Sequence, residues 1–190
     1  LAQDKHLEIQ FFGRDSIGNE LAEFGLAVNV GELSHCQSHV AFYTSQATLI
    51  ECDVILVSVK ATALPQLIPQ IKKHARSDVP IVALQNGIGV AAMFEAQLSN
   101  PVFRAIVPFN VVKLSPGVFS KASGGDLLWP QTGNRRLQYL SRVWSSFGLP
   151  VQDVADMQSA EYGKLLLNLN NALNAVSGLP LRQQLLEPDL

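Results

Sequence analysis

Residues 52–59 read CDVILVSV and residues 79–84 read VPIVAL. Both are short, near-continuous runs of β-branched and aliphatic side chains. A strand with one wet face would alternate apolar with polar residues, so such runs suit strands buried on both faces of a parallel sheet. Between them, residues 64–74 have helical spacing, with Pro65 near the first turn. Gln85-Asn86-Gly87-Ile88-Gly89 ends the second run, and residues 91–98 read as a short helix. Strand–helix–strand–helix order implies βαβ units. The chain is therefore expected to be α/β, with a mostly parallel sheet and helices on both faces.

Working outward, residues 6–12 are extended in type and close on Gly13-Arg14-Asp15-Ser16. Residues 17–24 have helical spacing, with Ile17, Leu21 and Phe24 on one side and Gly25 as the stop. Residues 26–30 and 38–43 read as two short strands. After Pro101 the texture changes. Residues 102–113 and 125–129 are strand-like, joined through Ser115-Pro116-Gly117 and Ser123-Gly124-Gly125, and are expected as antiparallel additions at one sheet edge. Residues 134–147 form an amphipathic helix stopped by Gly148 and Pro150, and residues 151–154 a last strand. Asp156 then suits an N-cap for a helix over 157–176, with Ser177-Gly178-Leu179-Pro180 as its end. Twenty residues make a helix about 30 Å long. That length marks it as the opening helix of a second, helical domain, so the expected division is 1–154 and 155–190.

Composition excludes several classes of function. In 190 residues, 47% are hydrophobic and 16% charged, ample for a core and too apolar for disorder. Fourteen Lys and Arg against sixteen Asp and Glu give a net charge of −2, with no basic excess for nucleic acid. No apolar run reaches the roughly 18 residues that a membrane span needs. Cys36 and Cys52 show no Cys-x-x-Cys pattern and cannot alone build a metal site. They point to a reducing, intracellular setting rather than a disulfide framework. His6, His35, His39 and His74 have no ligand spacing, and no Ser-His-Asp arrangement is visible.

In open α/β sheets, ligands bind beyond the carboxyl ends of the strands. Three such ends carry polar residues: Gly13-Arg14, Ser58-Val59-Lys60 and Gln85-Asn86-Gly87. An Arg after an early strand pairs with the 2′-phosphate of NADP in dinucleotide folds, whereas an acid there holds the ribose of NAD. The plain alternative for Arg14 is a solvated surface residue, and no Gly-x-Gly-x-x-Gly accompanies it. Lys60 closes an apolar strand as a surface residue or a ligand contact. Asn86 sits in an Asn-Gly pair that turn chemistry alone explains. Lys164, Asn168 and Asn171 share one face of the long helix, opposite Leu165, Leu169, Ala172, Leu173 and Val176. This stripe is either the wet side of the helix or the lining of a site. Asparagine is a weak helix former, and four of them, at 168, 170, 171 and 174, favour the lining.

Three motifs together resemble the ketopantoate reductases (2-dehydropantoate 2-reductases). They are Val57-Ser58-Val59-Lys60, Leu84-Gln85-Asn86-Gly87-Ile88-Gly89 and Glu161-Tyr162-Gly163-Lys164-Leu165-Leu166-Leu167-Asn168. The resemblance implies a Rossmann-type NADP-binding domain followed by an all-α substrate domain. The implied activity is NADPH-dependent reduction of 2-dehydropantoate to pantoate, in pantothenate and coenzyme A biosynthesis in the cytoplasm. It implies Lys164 as the catalytic lysine, Asn168 as a substrate-binding residue, and Lys60 and Asn86 at the nicotinamide and substrate end of the cleft. Arg14 matches the family's 2′-phosphate residue. The implied partner is a small 2-oxo acid, with no nucleic acid, membrane or metal, and a homodimer is open as the assembly.

Departures from the family pattern accompany the resemblance. The family's first strand and Gly-rich phosphate loop would precede Leu1, making residues 1–5 the tail of the helix after that loop. Its helical domain would continue past Leu190. Ala172 stands where a second asparagine is often found. Alternatives are thus a reductase of another 2-oxo acid, a non-catalytic NADP-binding relative, or a structural fragment.

Overall fold

The computed structural model describes residues 6–178, the side chains of 170–177 excepted. The expectations for residues 1–5, for the side chains of Asn171 and Ala172, and for Leu179-Pro180 lie outside the described residues. From the N-terminus, β1 (Phe11–Phe12) leads into α1 (Asp15–Phe24), then β2 (Leu26–Val30), β3 (Leu33–Gln37) and β4 (Phe42–Tyr43). A 3₁₀ turn over Gln46–Glu51 precedes β5 (Ile55–Val57), and a second over Ala61–Ala63 precedes α2 (Leu64–His74). There follow β6 (Ile81–Ala83), α3 (Val90–Glu95), β7 (Val102–Arg104), β8 (Val111–Ser115) and β9 (Val118–Lys121). The chain continues through β10 (Leu127–Pro130), α4 (Arg135–Ser146), β11 (Val151–Val154) and α5 (Met157–Ser177).

The centre is the parallel sheet β5-β6-β7, in the register Ile55↔Ile81 and Ile81↔Val102. An antiparallel bridge between Ile106 and Leu128 joins it to the parallel pair β10-β11. β1 pairs in parallel with β4. A separate four-stranded sheet runs β3-β2-β9-β8, in which β2 and β9 are parallel and the outer pairings antiparallel. Parallel pairing thus dominates an α/β fold, as the buried runs dictate.

β6 is buried throughout, and its period of two serves two cores. Ile81 and Ala83 pack with Leu64, Ile68 and Ile71 of α2 and with Phe94 of α3. Val82 packs on the other face with Trp129 and with Leu137 and Leu140 of α4. Trp129 donates its indole N–H to the Leu137 carbonyl at 3.1 Å and meets Trp144 edge-on at 4.7 Å. Asn134 caps α4, its side-chain oxygen accepting from the amides of Arg136 and Leu137.

The structure shortens or moves several expected elements. Of residues 6–12 only Phe11–Phe12 is paired, and the strand expected over 38–43 is β4 alone, preceded by β3. Residues 102–113 divide into β7 and β8 around Pro108, whose nitrogen cannot donate to a ladder. The antiparallel additions at one edge are corrected: β7 is a parallel member of the central sheet, and β10 pairs in parallel with β11. β8 forms a hairpin with β9 that joins β2 instead. Gly117 makes this possible. Its φ is +70°, and a Cβ there would lie 2.5 Å from the Gly25 carbonyl oxygen, so only glycine fits against the end of α1.

Candidate active site

The carboxyl ends of β5, β6 and β7 are joined by side chains. Gln85, one residue beyond Leu84, donates its amide to the carbonyls of Val57 and Val59, at 2.8 and 3.0 Å. It thereby straps the end of β6 to the segment that leads into Lys60. Lys60 is exposed and begins the 3₁₀ turn before α2, its carbonyl accepting from the Ala63 amide. Gly87 and Gly89 take φ of +101° and +80°, so the loop after β6 needs glycine for its backbone rather than for space. Asn86 projects from this loop and is exposed.

Arg104, the last residue of β7, is only 7% exposed. It and Gln85 are the two buried polar residues among those described. Burying a guanidinium is costly unless its donors are satisfied. Here Nη1 donates to the Ala83 carbonyl at 2.9 Å, and Nη2 to those of Gln85 and Gly87 at 2.6 and 3.4 Å. The carbonyls on both sides of Asn86 thus meet one side chain. Nε donates to Glu161 Oε1 in an ion pair whose carboxylate is itself mostly buried.

Glu161 belongs to the second turn of α5. Asp156 caps that helix, accepting from the Ser159 amide at 3.0 Å and its hydroxyl at 2.6 Å. These bonds, the hydroxyl first, hold the Asp156 carboxyl below its ordinary pKa. Glu161, Lys164 and Asn168 follow at i, i+3 and i+7 on one helix face. Lys164 and Asn168 are half-buried, while Leu166, Leu167 and Leu169 are 68%, 71% and 52% exposed. Lys164 and Asn168 are thus less exposed than these three leucines. Among the described residues, Lys164 makes no ion pair.

Arg14 lies elsewhere along the same sheet end. It is exposed and precedes α1, its carbonyl accepting from the amides of Ile17 and Gly18. With Phe12, Gly13, Val57, Ser58 and Leu84 it lines a cavity of about 1100 Å³ between β1 and β5. The structure thus joins the Asn86 loop to the helix of Lys164, and Arg14 to the end of β5. Arg104 and Gln85 were missed as site residues. The signal for Arg104 was present: a lone charge in the apolar run Val102-Phe103-Arg104-Ala105-Ile106 must find buried partners.

The family model for ketopantoate reductase PanE/ApbA matches residues 1–134. The chain belongs to the ketopantoate reductase family. Its fold is the Rossmann-like one found in solved structures bearing that name. A PanE/ApbA family ketopantoate reductase from Ralstonia eutropha JMP134 matches with a TM-score of 0.79 and 23% identity, over 91% of this chain and 57% of that one. A 2-dehydropantoate 2-reductase from Geobacter metallireducens GS-15 matches with 0.81 and 20%, over 96% and 62%. A D-mandelate dehydrogenase, solved with NADH and anilino(oxo)acetate, matches with 0.62 and 18%, over 82% and 52%. The chain thus spans less than two thirds of each of these structures. No curated protein matches it. That family is one of oxidoreductases, and its fold binds a nicotinamide cofactor. Among the described residues, no helix is long and apolar enough to cross a membrane, and no cluster of His, Cys, Asp or Glu is placed for a metal.

Proposed function

We propose that the full-length protein reduces 2-dehydropantoate to pantoate with NADPH. One observation carries this reading: on α5 Lys164 and Asn168 are half-buried while Leu166, Leu167 and Leu169 are exposed, and Arg104 ties Glu161 of that helix to the loop that bears Asn86. The residues present fit the cofactor at two points. Arg14 is a cation on the cavity wall, without an ion pair among the described residues, and suits a 2′-phosphate. Lys60 and Asn86 stand at the strand ends where a nicotinamide would lie. When bound, the cofactor supplies the hydride. Reduction of a ketone develops negative charge on its oxygen. The Lys164 ammonium stabilises that charge and delivers the proton. Asn168 and Asn86 orient the substrate's hydroxyl and carboxylate without adding charge. The same reading includes a cofactor domain over residues 1–154, the start of a helical substrate domain over 155–190, and a cytoplasmic setting.

A second reading, reduction of a different 2-oxo acid, is favoured by the likeness to D-mandelate dehydrogenase. That relative's NADH also makes cofactor choice worth measuring directly. The test is NADPH and NADH oxidation by the full-length protein across a panel of 2-oxo acids. Highest kcat/KM with 2-dehydropantoate and NADPH is expected. Preference for a bulkier oxo acid would move the assignment to the second reading, and no oxidation with any member would overturn both.

A further inference from the structure

Glu161 and Arg104 are more than a buried ion pair. We propose that they are positioning residues, which set the rotation of α5 and thereby aim Lys164 at the ketone oxygen. The inference rests on the catalytic reading of Lys164. Arg104 places four of its five donors on two separate elements. Nη1 and Nη2 take the carbonyls of Ala83, Gln85 and Gly87, which fixes the backbone on both sides of Asn86. Nε takes Glu161, three residues before Lys164 on the same helix face. A planar guanidinium holds its N–H vectors at fixed angles, so it transmits orientation as well as charge. A lysine could not hold both elements in one geometry.

Glu161 has a second consequence. It is the one acid on the Lys164–Asn168 face, and Arg104 occupies it. Released from Arg104, that carboxylate would be a competing partner for the Lys164 ammonium at i+3. The pair therefore both turns the helix and keeps the lysine available.

The test compares four variants of the full-length protein: Glu161→Gln, Glu161→Ala, Arg104→Lys and Lys164→Ala. Turnover is measured per NADPH-binding molecule, beside KM for the oxo acid and Tm. Glutamine keeps an acceptor for Nε–H, so Glu161→Gln should stay within about threefold of wild type in kcat. Misplacement by about 1 Å can cost a hundredfold, so Glu161→Ala and Arg104→Lys should lower kcat by roughly tenfold to a hundredfold, with NADPH affinity kept. A purely structural pair would lower Tm and folded yield alone. Wild-type kcat in the folded fraction of Glu161→Ala or Arg104→Lys would overturn the inference. If Glu161→Ala fails to fold, Arg104→Lys against Glu161→Gln decides it. Loss of turnover in Lys164→Ala with wild-type turnover in the other three would sink the positioning role alone. Near-wild-type turnover in Lys164→Ala would sink the catalytic reading, and the inference with it.

Discussion

The two halves of the candidate cleft are built differently. At the ends of β5, β6 and β7, Gln85 and Arg104 bind four segments into one buried hydrogen-bonded unit. At the end of β1 there is little of this. That strand is two residues long and Arg14 is exposed. On the proposed reading the two ends would do two kinds of work. Proton transfer needs groups held to within fractions of an ångström, because misaligned donors lose most of their effect. Recognition of a phosphate by a long cationic side chain tolerates motion, because charge acts over several ångströms.

The largest expected effect tests the rigid half. Lys164→Ala in the full-length protein should lower kcat about 10²–10⁴-fold, the range for general acid catalysis. NADPH affinity should hardly change. Turnover near wild type from pH 6 to 9 would remove the contrast at its root.

Next comes the open half. Arg14→Ala should weaken NADPH roughly tenfold to a hundredfold, as loss of a charge-assisted phosphate contact does. NADH should be nearly unaffected. Equal losses for the two cofactors, measured by fluorescence titration, would mean that Arg14 does not read the phosphate.

Gln85→Leu sharpens the comparison through stability. It deletes the amide that binds the Val57 and Val59 carbonyls, leaving Val57 with only the Leu84 amide and Val59 without its Gln85 partner. About 1–3 kcal/mol should be lost in urea unfolding. An unchanged midpoint would show the strap to be dispensable.

The smallest effect belongs to Asp156. Bonds from Ser159 hold its folded-state pKa below the ordinary value of about 3.9. A carboxyl depressed on folding stabilises the fold above its unfolded pKa and loses that contribution as pH falls through the folded value. Asp156→Ala should therefore lower Tm by at most a few degrees at pH 7. The gap from wild type should narrow as pH falls below the ordinary carboxylate range. A gap that is constant with pH would assign the loss to helix propensity instead.

Much of this architecture is legible in the sequence, for physical reasons that differ by element. α2 and β11 fall where periodicity puts them, because Pro65 and Pro150 fix their starts. The α5 start was readable from Asp156, whose short acidic side chain has few other uses before a helical run. β3 was not readable. Leu33-Ser34-His35-Cys36-Gln37 has neither a continuous apolar run nor strong β formers, and its strand exists because β2 lies beside it. Arg104 shows the same limit at the site. Its charge could be noticed in the sequence, but its partners at 83, 85, 87 and 161 are set by tertiary packing. For the Lys164–Asn168 stripe, the four asparagines favour a site lining over a wet face. That Leu166, Leu167 and Leu169 are more exposed than either residue of the stripe is visible only in the fold.

The close approach of Gly117 to Gly25 also bears on the order in which the molecule is assembled. Glu20 accepts from the Gly117 amide at 2.9 Å, across 97 positions of chain, and β2 pairs with β9 over a similar span. β5, β6 and β7 are separated by far shorter crossovers. Closing a long loop costs entropy before any contact rewards it, and pairings distant in sequence form slowly. The central sheet should therefore be the nucleus, with the hairpin β8-β9 docking onto α1 and β2 afterwards. Pulse-labelled amide exchange during refolding would then protect Ile81–Ala83 before Val118–Lys121, and the reverse order would contradict this history. The site follows the same calendar. The Arg104 clamp on the Asn86 loop belongs to the early sheet, whereas the cavity wall at Val28 and Lys121 closes only with the late one.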